Sequence, residues 1–148
     1  LVTRFMNIEV YSQTETEKMI DFLNLLFEQG KAIRWGIYSK EDSCLVGSCG
    51  FNSSLYQTHQ GEIGYELGLE YWGRGLMGEA LGAILDYGFE TLKLNRIEAY
   101  VMPENVNSQK LLQRLGFHRE GLLRQRGYYK NRFWDEYIFS LLKAEWFS

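Results

Sequence analysis

Residues 62–117 constrain the fold more than any other part of the chain, because they read in order as strand, glycine turn, helix, strand and short helix. Within them, Trp72-Gly73-Arg74-Gly75-Leu76-Met77-Gly78 joins an extended run to a helix. The amides of a first helical turn have no partners inside the helix, so this junction is suited to phosphate oxygens. Gly73, Gly75 and Gly78 permit positive φ and close approach of a ligand, and successive turn amides can form an anion-binding nest. The helix is written in the spacing that follows. Leu76/Met77, Ala80/Leu81, Ile84/Leu85 and Leu92 recur at helical intervals, with Asp86 and Glu90 toward the other side.

The same glycines spell Gly73-x-Gly75-x-x-Gly78, and Glu98 lies about where a ribose-binding acid follows a dinucleotide motif, roughly 20 residues on. Two features oppose a dinucleotide site. The turn is preceded by Glu70, Tyr71 and Trp72, where that fold needs a buried β-branched strand, and Glu98 sits in the alternating run 96–102, where it can simply face solvent. A glycine-rich helix start with no ligand is the plain alternative.

Around this stretch the chain reads as mixed α+β. A polar start over residues 1–16 precedes a helix over 17–29 closed by Gly30, and segments 32–39 and 44–53 form a hairpin about Lys40-Glu41-Asp42-Ser43. After a loop over 55–60 comes a strand over 61–69, whose interior Gly64 and Gly68 suggest a bulge or a close backbone approach. Its expected parallel partner is 96–102, reached by a right-handed crossover that leaves the glycine turn at the strand's carboxyl end. Pro103 stops that strand, Asn105 or Asn107 can cap a short helix ending at Leu115, and Gly116 follows as its C′ residue. Segments 122–129 and 133–142 alternate about Lys130-Asn131-Arg132 as a closing hairpin.

Composition bounds the function. A chain of 148 residues with 45% hydrophobic and 16% aromatic content can bury one sizeable core, which predicts a single domain. A formal charge of −3 argues against a nucleic-acid partner, although Arg119, Arg124, Arg126, Lys130 and Arg132 make one region locally basic, as a solvated face does. No apolar run approaches the ~20 residues that span a bilayer and no signal-peptide pattern opens the chain, so a cytoplasmic protein without a membrane partner is expected. Cys44 and Cys49 would point to opposite faces of one strand, which favours reduced structural thiols. His59 and His118 form no spaced cluster with cysteine or carboxylate, so no metal site is expected.

The order EIGYEL, YWGRGLMGEA, PENVNSQKLLQRLGF and EGLLRQRGYYKNRFWDEYIFSLL resembles the GNAT superfamily of acetyl-CoA-dependent N-acetyltransferases, and within it the Rim-type ribosomal-protein subgroup. The likeness covers roughly residues 33–146. It implies a mostly antiparallel mixed sheet with a central splayed parallel strand pair, and a turn that holds the CoA pyrophosphate mainly through backbone amides. In the family's acyl-CoA loop, Gln or Arg is followed by two variable residues, Gly, one variable residue, and Gly or Ala; Trp72, Gly75 and Met77 occupy these positions, and Met77 departs from the pattern. Cofactor contacts are thereby implied for Trp72, Gly73, Arg74, Gly75, Leu76, Met77 and Gly78. The amide-rich pantetheine arm would add like a short strand to the backbone of Glu66, Leu67, Gly68 and Leu69, and would meet Asn105 and Asn107.

Transfer of an acetyl group from a thioester to an amine needs a neutral amine, donors for the developing oxyanion and a proton for the thiolate. The resemblance implies Glu62 as the base, since many relatives carry a glutamate there, and partial burial would raise its pKa toward neutrality. Glu66, four residues on and on the same strand face, is not separable from it by alternation alone. A tyrosine that many relatives use as acid is replaced by Leu112, so the resemblance shifts that role to Ser108, one turn earlier, as in the Rim-type subgroup. Ser108 can equally be a helix N-terminal hydroxyl serving backbone amides. Tyr65, Tyr100, Tyr128 and Tyr129 receive no role.

The resemblance also predicts a strand and helical segment ahead of the helix at 17–29, and the polar start shows no such strand, so the chain reads as trimmed there. The expected acceptor is a protein or peptide N-terminal amine, with a polyamine, aminoglycoside or amino acid as the small-molecule alternative. A degenerate CoA-binding module is the alternative from another class, motivated by Met77 and Leu112. Either a monomer or a homodimer is compatible.

Overall fold

The computed structural model describes residues 13–55 and 57–148. Helix α1 (Gln13–Glu28) leads into strands β1 (Ile33–Ser39), β2 (Cys44–Leu55) and β3 (Gln60–Leu67), then α2 (Leu76–Glu90), β4 (Arg96–Val101), α3 (Val106–Arg114), β5 (His118–Tyr129), β6 (Arg132–Leu142) and the short α4 (Lys143–Trp146). One six-stranded sheet has the order β1-β2-β3-β4-β6-β5, antiparallel except where β3 lies beside β4. That exception follows from connectivity: β3 and β4 are joined by a helix, and parallel neighbours need such a crossover.

The parallel pairing is brief. Gln60 pairs with Arg96, Gly61 with Ile97 and Glu62 with Glu98, and there it ends, although β3 continues to Leu67 and β4 to Val101. The two strands therefore part immediately after Glu62, leaving a V whose wide end faces the glycine turn and α3.

Period-2 alternation decides which side chains face the helices. Ile63 and Leu67 of β3, and Ile97, Ala99 and Val101 of β4, are buried against Leu81, Leu85 and Phe89 of α2 and Leu112 of α3. Full burial of each large side chain contributes on the order of 1.5–3 kcal/mol, which makes this layer the main source of cohesion. Helix and sheet approach closely at Gly88, where an added Cβ would lie 2.6 Å from Phe51 Cζ and 3.1 Å from Ile97 Cδ1. Helix α4 ties the chain's end to this layer, with Trp146 Nε1 donating to Asp86 Oδ1 at 2.7 Å.

Several expectations are met and some corrected. Asn105 caps α3, its Oδ1 accepting from Ser108 N at 3.2 Å, and Gly116 follows the helix at φ 92°. Lys130 and Asn131, at φ 51° and 57°, make the two-residue turn that matches strand twist, and Arg132 already belongs to β6. The bulge expected from Gly64 and Gly68 lies on the neighbouring strand instead, where the register shifts between Phe51 and Ser53 opposite Ile63 and Glu62. Close approach does hold at Gly64, where a Cβ would sit 2.6 Å from Asn52 Nδ2. Gly68 falls beyond β3, and Leu69 opens a 3-10 turn to Tyr71 rather than closing the strand. Helix α1 starts at Gln13 and β5 at His118, both four residues earlier than expected. The reading of the polar start falls mostly on residues 1–12, outside the described ones. No helix among the described residues is long and apolar enough to cross a membrane.

Candidate active site

The wide end of the V is a cavity of about 490 Å³. One wall is β3, through Tyr65, Glu66 and Leu67; the floor is the turn and first residues of α2, through Tyr71, Trp72, Gly73, Gly75, Leu76, Met77 and Gly78; the other wall is α3, through Asn105, Asn107, Ser108, Lys110, Leu111, Arg114 and Leu115. Gly73 and Gly75 stand at φ 75° and 76°, and no protein atom lies within 4 Å of where a Cβ of either would sit. Neither glycine is there to make room for protein. They hold a left-handed backbone that side chains rarely adopt, and they leave the space before the helix start open.

A diphosphate and an amide-bearing arm fit this cradle. The first-turn amides of α2 at Leu76, Met77 and Gly78 have no helical acceptors, Glu79 N being the first to bond, to Gly75 O at 3.1 Å. Lys110 and Arg114, one turn apart on α3, add positive charge at the rim. Trp72 also ties the floor to the β3 wall, its Nε1 donating to Leu67 O at 2.8 Å, so that this carbonyl is already engaged. Arg74, Gly68 and Leu69 are not among the lining residues. Arg74 lies 3.8 Å from Asp42 and over the Tyr71 ring, while Gly68 N donates to Val46 O at 2.8 Å and Leu69 O accepts from Trp72 N at 3.2 Å.

Ser108 enters the cavity from the first turn of α3, and its Oγ is hydrogen-bonded to the Tyr65 hydroxyl. Burial pushes the Tyr65 phenol up to about 12 against the smaller, opposing influence of that bond. Sequence reasoning passed Tyr65 over because a strand tyrosine is more often packing than chemistry; its place between buried Ile63 and Leu67 was the available signal. Lys110 and Arg114 were missed as well, though their i, i+4 spacing was legible.

The other face of β3 carries Glu62, Gly64 and Glu66, and here the structure separates the two carboxylates. Glu66 accepts from Arg34 Nη2 and Ser48 Oγ. Arg34 also donates to Ser48 Oγ at 3.0 Å and Asn52 Oδ1 at 3.1 Å, so Glu66 is locked beside a guanidinium. Glu62 takes part in none of the ion pairs found among the described residues. Its pKa is raised, chiefly by burial, with the Asn52 side-chain hydrogen bond the largest opposing influence. Glu98, beside it in the parallel register, is held by Arg96 Nε at 2.7 Å and the Tyr100 hydroxyl at 2.8 Å. Arg126 covers the Tyr100 ring at 3.5 Å and pairs with Glu136 at 2.7 Å. Glu62 thus stands at the vertex of the V, on a polar face whose other carboxylates are mostly neutralised.

Residues 1–118 match the acetyltransferase (GNAT) domain family. The chain belongs to the GNAT acetyltransferases. Among relatives, it is 46% identical over 98% of its length to the uncharacterized N-acetyltransferase p20 of Bacillus licheniformis, covering 82% of that protein. It is 30% identical to the [ribosomal protein uS5]-alanine N-acetyltransferase of Escherichia coli, over 86% of this chain and 66% of that one. In fold alone, it superposes at a TM-score of 0.85 on the spermidine N-acetyltransferase of Vibrio cholerae solved with CoA and spermine, at 20% identity, covering 99% of this chain and 85% of that one. As a GNAT N-acetyltransferase it uses acetyl-CoA as donor, and the mixed sheet with its splayed parallel pair is the GNAT fold. Sequence order, more than any single motif, carried the family; the acceptor was not carried with it.

Proposed function

We propose that this chain is one GNAT domain that acetylates the N-terminal amine of a protein or peptide of the ribosomal-protein type by direct attack on acetyl-CoA, in the cytoplasm. The observation that carries the reading is the cavity at the wide end of the V, bounded by open-faced Gly73 and Gly75, with Glu62 at the vertex. In this reading the turn amides hold the pyrophosphate, the edge of β3 near Leu67 holds the pantetheine arm, and Asn105 and Asn107 flank it. Glu62, with its raised pKa, takes the proton from the attacking nitrogen directly or through water, because it is the β3 carboxylate not locked in a close ion pair, Glu66 being held by Arg34. Ser108 donates a hydrogen bond to the departing thiolate. The bond formed is nitrogen to carbonyl carbon, the bond broken is carbon to sulfur, and the products are an amide and CoA.

The acceptor class rests on the relative named for alanine acetylation of ribosomal protein uS5. An acidic chain with the Glu62 carboxylate at the vertex also favours a cationic amine over an anionic one. Turnover with acetyl-CoA is to be measured on short peptides with a free alanine or serine N-terminus, on the same peptides N-blocked but carrying lysine, and on spermidine, an aminoglycoside and free amino acids. Free-terminus peptides are expected to be acetylated and blocked ones not. Activity confined to the small amines would replace the acceptor, and CoA binding without any turnover would favour the degenerate module.

A further inference from the structure

Tyr65 and Ser108 come from elements that are each held independently. Tyr65 lies between Ile63 and Leu67 on the buried side of β3, and Ser108 is fixed by the Asn105 cap at the start of α3. Their two hydroxyls meet on the cavity wall. A serine hydroxyl is a rotor with one proton, free to spend it on any nearby acceptor. A phenol is the more acidic of the two groups and hence the better donor. When the phenol donates to Ser108 Oγ, the serine proton must turn elsewhere, and the open direction is the cavity.

We infer that Tyr65 is a positioning residue for the leaving group: its hydroxyl donates to Ser108 Oγ and so aims the Ser108 proton at the thioester sulfur. This rests on the proposed role of Ser108. Donation in series also polarises the second hydroxyl, strengthening the bond it can offer to a thiolate. The phenol is not itself the proton source. A thiol ionises near 8.5, whereas burial holds the Tyr65 hydroxyl at about 12, so the phenol keeps its proton while the sulfur departs.

The test uses CoA bound to the intact protein and needs no acceptor: the thiol of bound CoA is titrated by its thiolate absorbance in wild type, Ser108→Ala, Tyr65→Phe and the double variant. Losing one hydrogen bond to the thiolate should raise the apparent pKa of the bound thiol by about 0.5 to 1 in Ser108→Ala. Tyr65→Phe should raise it by a smaller amount, with CoA affinity and melting temperature close to wild type, and the double variant should not exceed Ser108→Ala. A phenylalanine variant that leaves the thiol unmoved while Ser108→Ala moves it overturns the role of Tyr65 and spares that of Ser108. Additive shifts, or loss of CoA affinity in Tyr65→Phe, also overturn it by assigning the tyrosine an independent or binding role. If neither single variant moves the thiol, the reading of Ser108 fails with it.

Discussion

A carboxyl that is to take a proton from an amine near neutrality must sit where water solvates its charge poorly, and that placement has a cost in stability. The Glu62 carboxyl is raised above its ordinary 4.5 by burial, so the folded chain binds this proton more tightly than the unfolded one. Its contribution is fully present below that value and is lost as pH rises through the raised one. Glu62→Gln removes the titration. The variant is therefore expected to melt at a higher temperature than wild type at neutral pH, with the gap closing in acid, which calorimetry across pH will read. Its turnover should fall by about 10²-fold at neutral pH and recover much of that at higher pH, where more amine is free. Ser108→Ala should lose rate without such recovery. Full rate for Glu62→Gln across neutral pH would remove the base from this position, and Glu66, already tied to Arg34 and Ser48, would be a poor replacement.

Helix α2 does two jobs, and its glycines divide between them. Gly82 has open space where a Cβ would go, so Gly82→Ala should stabilise by about 1 kcal/mol through helix propensity. Gly88→Ala should destabilise by about 1–3 kcal/mol despite the same propensity gain, because its methyl would press into the fully buried Phe51 ring. Chemical denaturation of the pair separates propensity from packing, and equal signs would refute the assignment of Gly88 to close approach. At the helix's start, Gly75→Asp would force a side chain into φ 76° and set a like charge against a phosphate. Calorimetry should find CoA binding lost, and undiminished affinity would move the anion site elsewhere. How much of this was legible follows the range of the signal. The turn and α2 are written in local spacing, the parallel partner follows from the strand-helix-strand order and the family resemblance, and the cap on α3 was narrowed to Asn105 or Asn107. The bulge at Asn52 was not, because a register shift belongs to a pair of strands and the glycines that hinted at it lie on the partner. The separation of Glu62 from Glu66 was equally hidden, since it depends on Arg34, 32 residues away along the chain from Glu66.

Across the whole molecule the sheet is two antiparallel halves, β1-β2-β3 and β4-β6-β5, and only three residue pairs join them edge to edge. In the proposed reading the acceptor enters on the polar face that both halves share, so its identity would depend on surfaces that no single motif encodes. That is why the fold was readable and the acceptor was not. The peptide panel decides this at the molecular scale: blocking the α-amine is expected to abolish transfer even with an internal lysine present. The brevity of the seam has a mechanical side too. A substrate that lies between the halves acts as a fastener, and the free protein should breathe along that line more readily than anywhere else in the sheet. Amides of residues 63–67 that point into the gap are expected to exchange hydrogen fast in the free protein and slowly with CoA present, beyond the uniform protection that binding confers. At 100 times its Kd a ligand confers about 2.7 kcal/mol in all. Equal protection factors at the gap and at the β1–β2 edge would show the sheet to be a single rigid plate, but localised protection would mean that each departing product leaves the protein briefly unbuttoned down its middle.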